Sequence, residues 1–449
     1  MKQYILSICL VFIAICAHAQ LDLSTHFMSN ISQSNLTNPA KMNEYKITVN
    51  LPSIYAGFYN SSFKPSDVLE KNGNTLMLDM DKFINGISND GLNFQSNVNV
   101  ETFGFAFRLK KFQVSLNHGV RVSTFHHIPK EMLQFAWGGN AQFIDETINI
   151  APSQNMMMYQ EFGLGLAYQV SDKLALGTKL KYLIGSGTYH TSRSMATIYT
   201  NPEYYQLTAE TDYTINTAGL PESDVEEWEF LNFDNFEPSL FGNNKGVAFD
   251  FGATFNLTEK LTVQASVLNI GKINWEEEVY NYSSNGTVNF EGLDFKPILD
   301  EGELEVDEIL DTIANTFEFQ TTQNTFSSTL PSTFYLSGNY KINKTLTAGA
   351  LLFAQKNQAE MTPAFAVNIR KDFGNVFSIG TQFATIKGGA HNVGLSTALK
   401  LGPVQLYLTS DNILPVFNPL NGQNVNLRFG MNLAFNKVTK KEKIEVLEN

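Results

Sequence analysis

Thiol chemistry is missing from nearly the whole chain. The two cysteines, Cys9 and Cys16, fall in the opening stretch Met1 to Ala19. That stretch reads as a signal peptide. Lys2 gives a charged start, Ile5 to Ala17 an apolar core, and Ala17-His18-Ala19 a small-x-small cleavage site before Gln20. A short membrane anchor is the competing reading, and the cleavage site argues against it. A lipoprotein fits less well, because Ile15 precedes Cys16 where a small residue is wanted. The mature chain then holds no disulfide and no cysteine metal site. Long apolar runs are absent too. No later segment approaches about eighteen consecutive apolar residues, which excludes a helical membrane protein. Positive charge is scarce, with a formal net charge of −13, and this argues against nucleic acid as a partner. No linker rich in Pro, Gly or Ser interrupts Ile47 to Phe435, so one large closed sheet fits better than two or three soluble domains. Enzyme signatures are lacking: there is no G-x-S-x-G, no H-E-x-x-H and no Gly-rich phosphate loop before a helix.

What the chain does contain is alternation. Val425, Leu427, Phe429, Met431, Leu433 and Phe435 alternate with Asn424, Asn426, Arg428, Gly430, Asn432 and Ala434. The same period of two runs through Val393 to Leu399 and Phe377 to Phe383. The second face is Gly, Ala, Ser and Asn rather than the Lys, Glu and Thr of a sheet that meets water. Small polar residues suit the inside of a closed barrel, and continuous Phe, Leu and Val suit lipid outside. Aromatic residues make up 12% of the chain, a level that aromatic girdles explain. In Asn97 to Leu109 the phase inverts, with Val98 and Val100 in line with Gly104 and Ala106; this predicts a strand that leaves the bilayer and becomes apolar on its inner side.

Tight turns are expected at Lys110-Lys111, Ser171 to Lys173, Thr258 to Lys260, Asn343-Lys344, Lys371 to Asn375 and Gly402-Pro403. Long connections are expected at 124–158, 185–245 and 271–331, with shorter ones at 356–360, 387–389 and 411–423. Short and long alternate strictly on this scheme. The fold class is therefore all-β, a transmembrane outer-membrane antiparallel β-barrel of about fourteen strands, with long extracellular loops and short periplasmic turns. The segments are 1–19 signal peptide, 20–44 a periplasmic or lumenal N-terminal segment, 45–435 the barrel and 436–449 a charged periplasmic tail. Residues 60–93 read equally as a flap or a surface loop, with short helical turns at Ser66 to Leu69, capped by Ser66, and at Met80 to Ile84.

Asn38-Pro39-Ala40 stands shortly before the strand Lys46 to Ser53. This tripeptide and the segment Asn97 to Arg108 resemble a family of Bacteroidota outer-membrane barrels of unassigned function. The family is more distantly similar to the long-chain fatty-acid transporter superfamily. The resemblance implies a barrel with an N-terminal segment tucked into or under the lumen, and it carries over no catalytic residue. Independently of it, Pro39 fixes its own φ and biases Asn38 toward extended backbone, which makes a defined bend. A disordered leader is the alternative.

Candidate lumen-lining residues are Arg108, Arg121, Lys179, Lys181, Asp250, Arg370 and Arg428, all on the small-residue faces of their strands. A charge facing lipid at mid-bilayer would cost roughly 2–4 kcal/mol. Their role is either to pair with lumen carboxylates or to guide an anionic or amphipathic solute. His126-His127 point to opposite faces and make a poor metal site. Ser115, His118 and Asp250 give no readable triad. The cluster Asp300 to Asp311 lacks EF-hand spacing and reads better as a solvated loop than as a Ca²⁺ site. Met156-Met157-Met158 either lines a greasy entrance or starts a lipid-facing strand. No cofactor, metal or catalytic residue is expected. The expected partners are outer-membrane lipid, the barrel assembly machinery and a hydrophobic small-molecule ligand. The expected function is passive transport of a hydrophobic or amphipathic small molecule; the alternative is an accessory barrel in secretion or surface assembly.

Overall fold

The computed structural model describes residues 22–60, 63–72, 75–203, 205–222, 242–290, 319–357, 360–386 and 390–438. The signal stretch, the acidic segments beyond Glu222 and from Asp300 to Asp311, and the tail from 439 lie outside them.

Fourteen strands close into one antiparallel barrel. In chain order they are β1 (Tyr45–Asn60), β2 (Leu92–Leu109), β3 (Phe112–Ile128), β4 (Ser153–Gln169), β5 (Leu174–Thr200), β6 (Lys245–Asn256), β7 (Leu261–Trp275), β8 (Ser332–Lys341), β9 (Leu346–Asn357), β10 (Glu360–Phe373), β11 (Phe377–Ile386), β12 (Ala390–Leu401), β13 (Val404–Ser410) and β14 (Asn424–Lys437). Each strand pairs with its neighbours in sequence. β14 closes on β1 through Ile47↔Phe435 and Val49↔Leu433. Closure leaves no free edge in the wall. Phe103, Phe105, Phe107, Leu116, Leu164, Leu180, Phe251, Phe365, Phe383, Leu408 and Phe429 stand exposed on the outer face, while Ala106, Ala366, Ala398 and Ala434 are buried inside. Such a continuous apolar exterior requires lipid. The chain is an outer-membrane β-barrel protein.

The phase inversion in β2 has a different cause from the one the sequence suggested. Glu101 pairs with Gly119 but Phe103 pairs with His118, so Thr102 is an extra residue, a β-bulge. The bulge changes parity within the strand. Asn97, Asn99 and Glu101 are buried inside, and Val98 stays exposed on the outside with Phe103. The inner side therefore does not become apolar.

Other boundaries move as well. One tight turn is 374–376, because Lys371, Asp372 and Phe373 still pair in β10. β14 runs to Lys437, past the expected start of the tail. The helical turn Pro65–Val68 has Lys64, not Ser66, at its N-cap. The strict alternation of lengths fails between β9 and β12, where the connections on both rims are short.

The first long connections also carry strands. β5 spans 27 residues and rises beyond the barrel. It pairs there with Leu207–Ala218, which pairs with Val279–Phe290. The helix Lys130–Gly138 adds Phe135 to the apolar core of this raised sheet, beside Ile148, Ile198, Leu207, Tyr213, Ile215 and Tyr282. Met157 faces inward, fully buried with Tyr159, Leu183 and Trp275; it lines no entrance and starts no lipid face.

Candidate functional site

Residues 22–43, nearly all of them buried, form a plug inside the lumen. A five-residue helix, Leu23–Phe27, begins the segment. So short a helix leaves its terminal backbone groups without partners inside it, and the wall, with Lys41 of the same segment, supplies them. The N–H groups of Leu23 and Ser24 donate to the Asp411 carboxylate at 3.1 and 2.6 Å. At the other end Arg370 donates to the Phe27 carbonyl at 2.8 Å, and Lys41 to the His26 carbonyl at 2.5 Å. An anion at the start and the Arg370 guanidinium at the end match the helix dipole. The Asp22 carboxylate meets Arg428 at 2.8 Å. Leu23 and Phe27 cover an apolar strip of inner wall that includes Tyr335, Leu351, Phe353, Ala366 and Ala384.

The rest of the segment descends to the short-turn rim. Gln33 and Asn432 exchange amide hydrogen bonds of 2.7 and 2.8 Å. The Thr37 carbonyl accepts from Ser266 at 2.6 Å. Asn38 donates to the Ala253 carbonyl at 3.2 Å, and its Oδ1 accepts from the Ala40 N–H at 2.9 Å. That second bond closes the bend around Pro39. Two glycines make room for it. A Cβ at Gly177 of β5 would strike the backbone of Pro39 and Ala40, and one at Gly252 of β6 would strike Asn38. Asn38-Pro39-Ala40 is thus a docking bend against bare backbone.

Above the bend lies a charged layer. Arg121 pairs with Glu101 at 2.5 Å and with Glu161 at 3.5 Å. Lys181 pairs with Asp250 at 2.9 Å and with Glu161 at 3.4 Å. Lys179 is buried beside them and helps line a cavity of about 80 Å³, which Arg428 also reaches. Arg108 lies lower and donates to the Asn43 carbonyl at 2.7 Å. The structure therefore places Arg108, Arg121, Lys179, Lys181, Asp250, Arg370 and Arg428 on the inner wall. Four of the carboxylates that meet them or the plug, Asp22, Glu101, Glu161 and Asp411, were not singled out from sequence. Glu161 shares parity with Gly163 and Gly165, and that was the available signal.

Nearer the long-loop rim opposite walls touch. Gln95 of β2 donates to Gln355 of β9 at 3.0 Å, and Asn155 of β4 to Asn357 of β9 at 3.2 Å. These amide pairs bridge the lumen above the charged layer. Ser115, His118 and Asp250 do not converge. His118 faces outward between Phe103 and Phe162, with Nδ1 2.7 Å from the Thr102 hydroxyl, and Asp250 faces the lumen. His127 bonds Asn93 at 2.8 Å. Among the described residues no group of His, Cys, Asp or Glu is placed to hold a metal ion.

Residues 39–411 match a family described as "Family of unknown function (DUF5723)". The chain belongs to this family. None of the curated proteins compared with it matches. Solved structures similar to this DUF5723 chain include the toluene transporter TbuX of Ralstonia pickettii, at 9% identity and a TM-score of 0.42 over 90% of this chain and 94% of that one. A FadL homologue of Pseudomonas aeruginosa is similar at 10% identity and a TM-score of 0.43, over 91% and 95%. The toluene transporter TodX of P. putida is similar at 8% and 0.42, over 90% and 94%.

In this DUF5723 barrel the plug carries two buried basic groups. Burial pushes the Lys41 ammonium down to about 7, with nearby Asp22 opposing and Arg370 adding to the shift. Burial, and then the Lys41 charge, hold His26 well below its ordinary value. Docking lowers the proton affinity of both groups, so an undocked plug binds more protons. For Lys41 the docked state weakens as pH falls from about 10.5 to about 7; for His26 it weakens further below about 6.5. The expected result is that amide-exchange protection of residues 23–37, corrected for intrinsic rate, falls from pH 9 to pH 5. Lys41→Met should flatten the upper part of that fall. Protection independent of pH in the wild type would remove both groups from control of docking.

Proposed function

We propose that this outer-membrane barrel passes a small amphipathic molecule and that residues 22–43 are its movable plug, with the long loops outside the cell and the short turns in the periplasm. The single supporting observation is the two-sided chemistry of the wall beneath the plug. On one side Leu351, Phe353, Ala366, Ala384 and Ile386 form an apolar strip, which Leu23 and Phe27 cover. On the other stand Arg121, Glu161, Lys181 and Asp250. A molecule with a polar head and an apolar body matches both sides once the plug withdraws. A purely apolar molecule matches only one. The plug is held against the wall by hydrogen bonds and one ion pair, Asp22 with Arg428, and its covalent tie to the barrel is the chain at Glu44, so it can leave the wall to admit a solute. The reading assigns no catalytic step and no cofactor. It takes outer-membrane lipid and the barrel assembly machinery as partners of the wall.

The raised sheet favours a second reading, an accessory barrel that presents this sheet to another surface protein. One experiment separates the two. Thr25 and Thr409 have hydroxyls 3.4 Å apart, and the described residues contain no cysteine. The pair Thr25→Cys and Thr409→Cys should lock the plug when oxidised and free it when reduced. Transfer of a dansyl-labelled medium-chain carboxylate into liposomes is expected to stop on oxidation and resume on reduction. Equal transfer in both states would end the plug reading and leave the accessory role.

A further inference from the structure

The short-turn mouth of the lumen is basic in a protein whose net charge is −13. Beneath the plug lies a cavity of about 410 Å³, lined by Arg108, Lys341, Arg370 and Lys437 and by one carboxylate, Glu44. Glu44 is already paired, with Lys437 at 3.2 Å. Arg370 is paired with Asp372 at 3.2 Å. Among the described residues Arg108 and Lys341 form no ion pair. The Arg108 Nε is buried and has no hydrogen-bond partner. Two cations are therefore left over in one concave site of ordinary ligand-pocket size.

Rim lysines on barrels often need no explanation beyond the phosphates of the surrounding leaflet. These residues do not meet that description. Arg108 shares inward parity with Gly104 and Ala106, Arg370 with Ala366 and Asn368, and Lys341 with Tyr335 and Ser337, all on the lumen side of the wall. Neutral donors complete the lining. The amides of Asn256, Gln264 and Asn339 and the hydroxyl of Thr347 face the same space. A guanidinium, an ammonium and side-chain amides around one cavity form a donor set for a carboxylate or phosphate.

We infer that this mouth is a binding site for a small oxyanion, a carboxylate or phosphate, with Arg108 and Lys341 as its free cations. Arg370 and Lys437 border the site and keep their own carboxylates. The anion would sit against the anchor points of the plug, because Arg108 also holds the Asn43 carbonyl and Arg370 the Phe27 carbonyl. The site does not require the plug to move, so it stands or falls separately from the passage proposed above.

The test is calorimetric titration of the folded protein, in a neutral detergent, with inorganic phosphate and with citrate. Saturable binding is expected for at least one of them. Lys341→Gln, which breaks no plug contact, should weaken it about tenfold, the size of one charge-assisted hydrogen bond. Arg108→Gln should weaken it at least as much, with heat-modifiable migration confirming the fold. Lys173→Gln, in a turn on the same rim but outside the cavity, should leave it unchanged. Repeating the titration in nanodiscs of phosphatidylglycerol and of phosphatidylcholine identifies the source of the anion. Competition by phosphatidylglycerol assigns the site to a lipid headgroup, and unchanged binding assigns it to a soluble anion. Equal weakening by Lys341→Gln and Lys173→Gln would show only diffuse attraction to a basic rim. That result, or no saturable binding of either probe, overturns the site.

Discussion

Deleting Thr102 is expected to abolish the folded barrel, while Thr102→Ala leaves it intact. Thr102 is the extra residue that lets β2 change parity. Without it one half of the strand must turn over. If the upper half turns, Asn97, Asn99 and Glu101 face lipid, and Arg121 loses its partner at 2.5 Å. If the lower half turns, Phe103, Phe105 and Phe107 enter the lumen and Arg108 faces lipid. Near the interface a cation costs only about 0–1 kcal/mol, so the loss on the lower route comes from three phenylalanines taken out of lipid, roughly 1.5–3 kcal/mol each, and on the upper route from breaking a buried ion pair, roughly 3–5 kcal/mol. Either route takes a large share of a typical total stability of roughly 5–15 kcal/mol. Thr102→Ala keeps the extra residue and loses only the hydroxyl contact with His118. The readout is the heat-modifiable band after refolding into vesicles. A normal band from the deletion would mean that the bulge does not set the two faces of β2.

Glu161→Leu should lower stability by about 3 kcal/mol, at the lower end for a broken buried pair because the adjoining cavity can admit water. Glu161 is the shared carboxylate of the charged layer, 3.5 Å from Arg121 and 3.4 Å from Lys181. Removing it leaves Glu101 and Asp250 facing three cations, Arg121, Lys179 and Lys181. The double variant Glu161→Leu and Lys181→Met restores the balance between the remaining charges and should recover part of the loss. Urea unfolding in vesicles, run as a double-mutant cycle, gives the coupling. A double variant less stable than Glu161→Leu alone would show that Lys181 stabilises through Asp250 and that charge balance is not the controlling quantity.

The barrel was legible because its two solvents are so unlike. Lipid outside and a crowded, hydrated interior force Phe, Leu and Val onto one parity and Gly, Ala, Ser and Asn onto the other, as in Asn424 to Phe435. The same contrast failed at Thr102, because alternation gives parity relative to neighbouring residues and cannot tell an inserted residue from an apolar interior. The raised sheet was missed for a related reason. Beyond the bilayer the upper part of β5, from Thr188 to Thr200, has water on one side and a local core on the other, so it reads as loop. Within the lumen, the cost of a charge in lipid marks which strand faces carry cations. It says nothing about partners, since those depend on which strands stand opposite one another after closure. Glu161 meets Lys181 across the β4–β5 ladder and Arg121 across β3–β4, a relation set by register rather than by any local pattern.

The plug also fixes an order of events. Its anchors lie almost a full chain length away: Ser24 on Asp411, Gln33 on Asn432 and Asp22 on Arg428. Further contacts are spread over β5 to β8 and β10. The Asp411, Arg428 and Asn432 anchors are not in place until the last strands are paired, so residues 22–43 cannot complete their docking until the end. Contacts at such separation form late, after the entropy of a nearly complete loop has been spent. A barrel stalled before β14 inserts would hold residues 22–43 undocked, with Leu23 and Phe27 exposed. The presence or absence of the docked segment then distinguishes a finished barrel from an unfinished one.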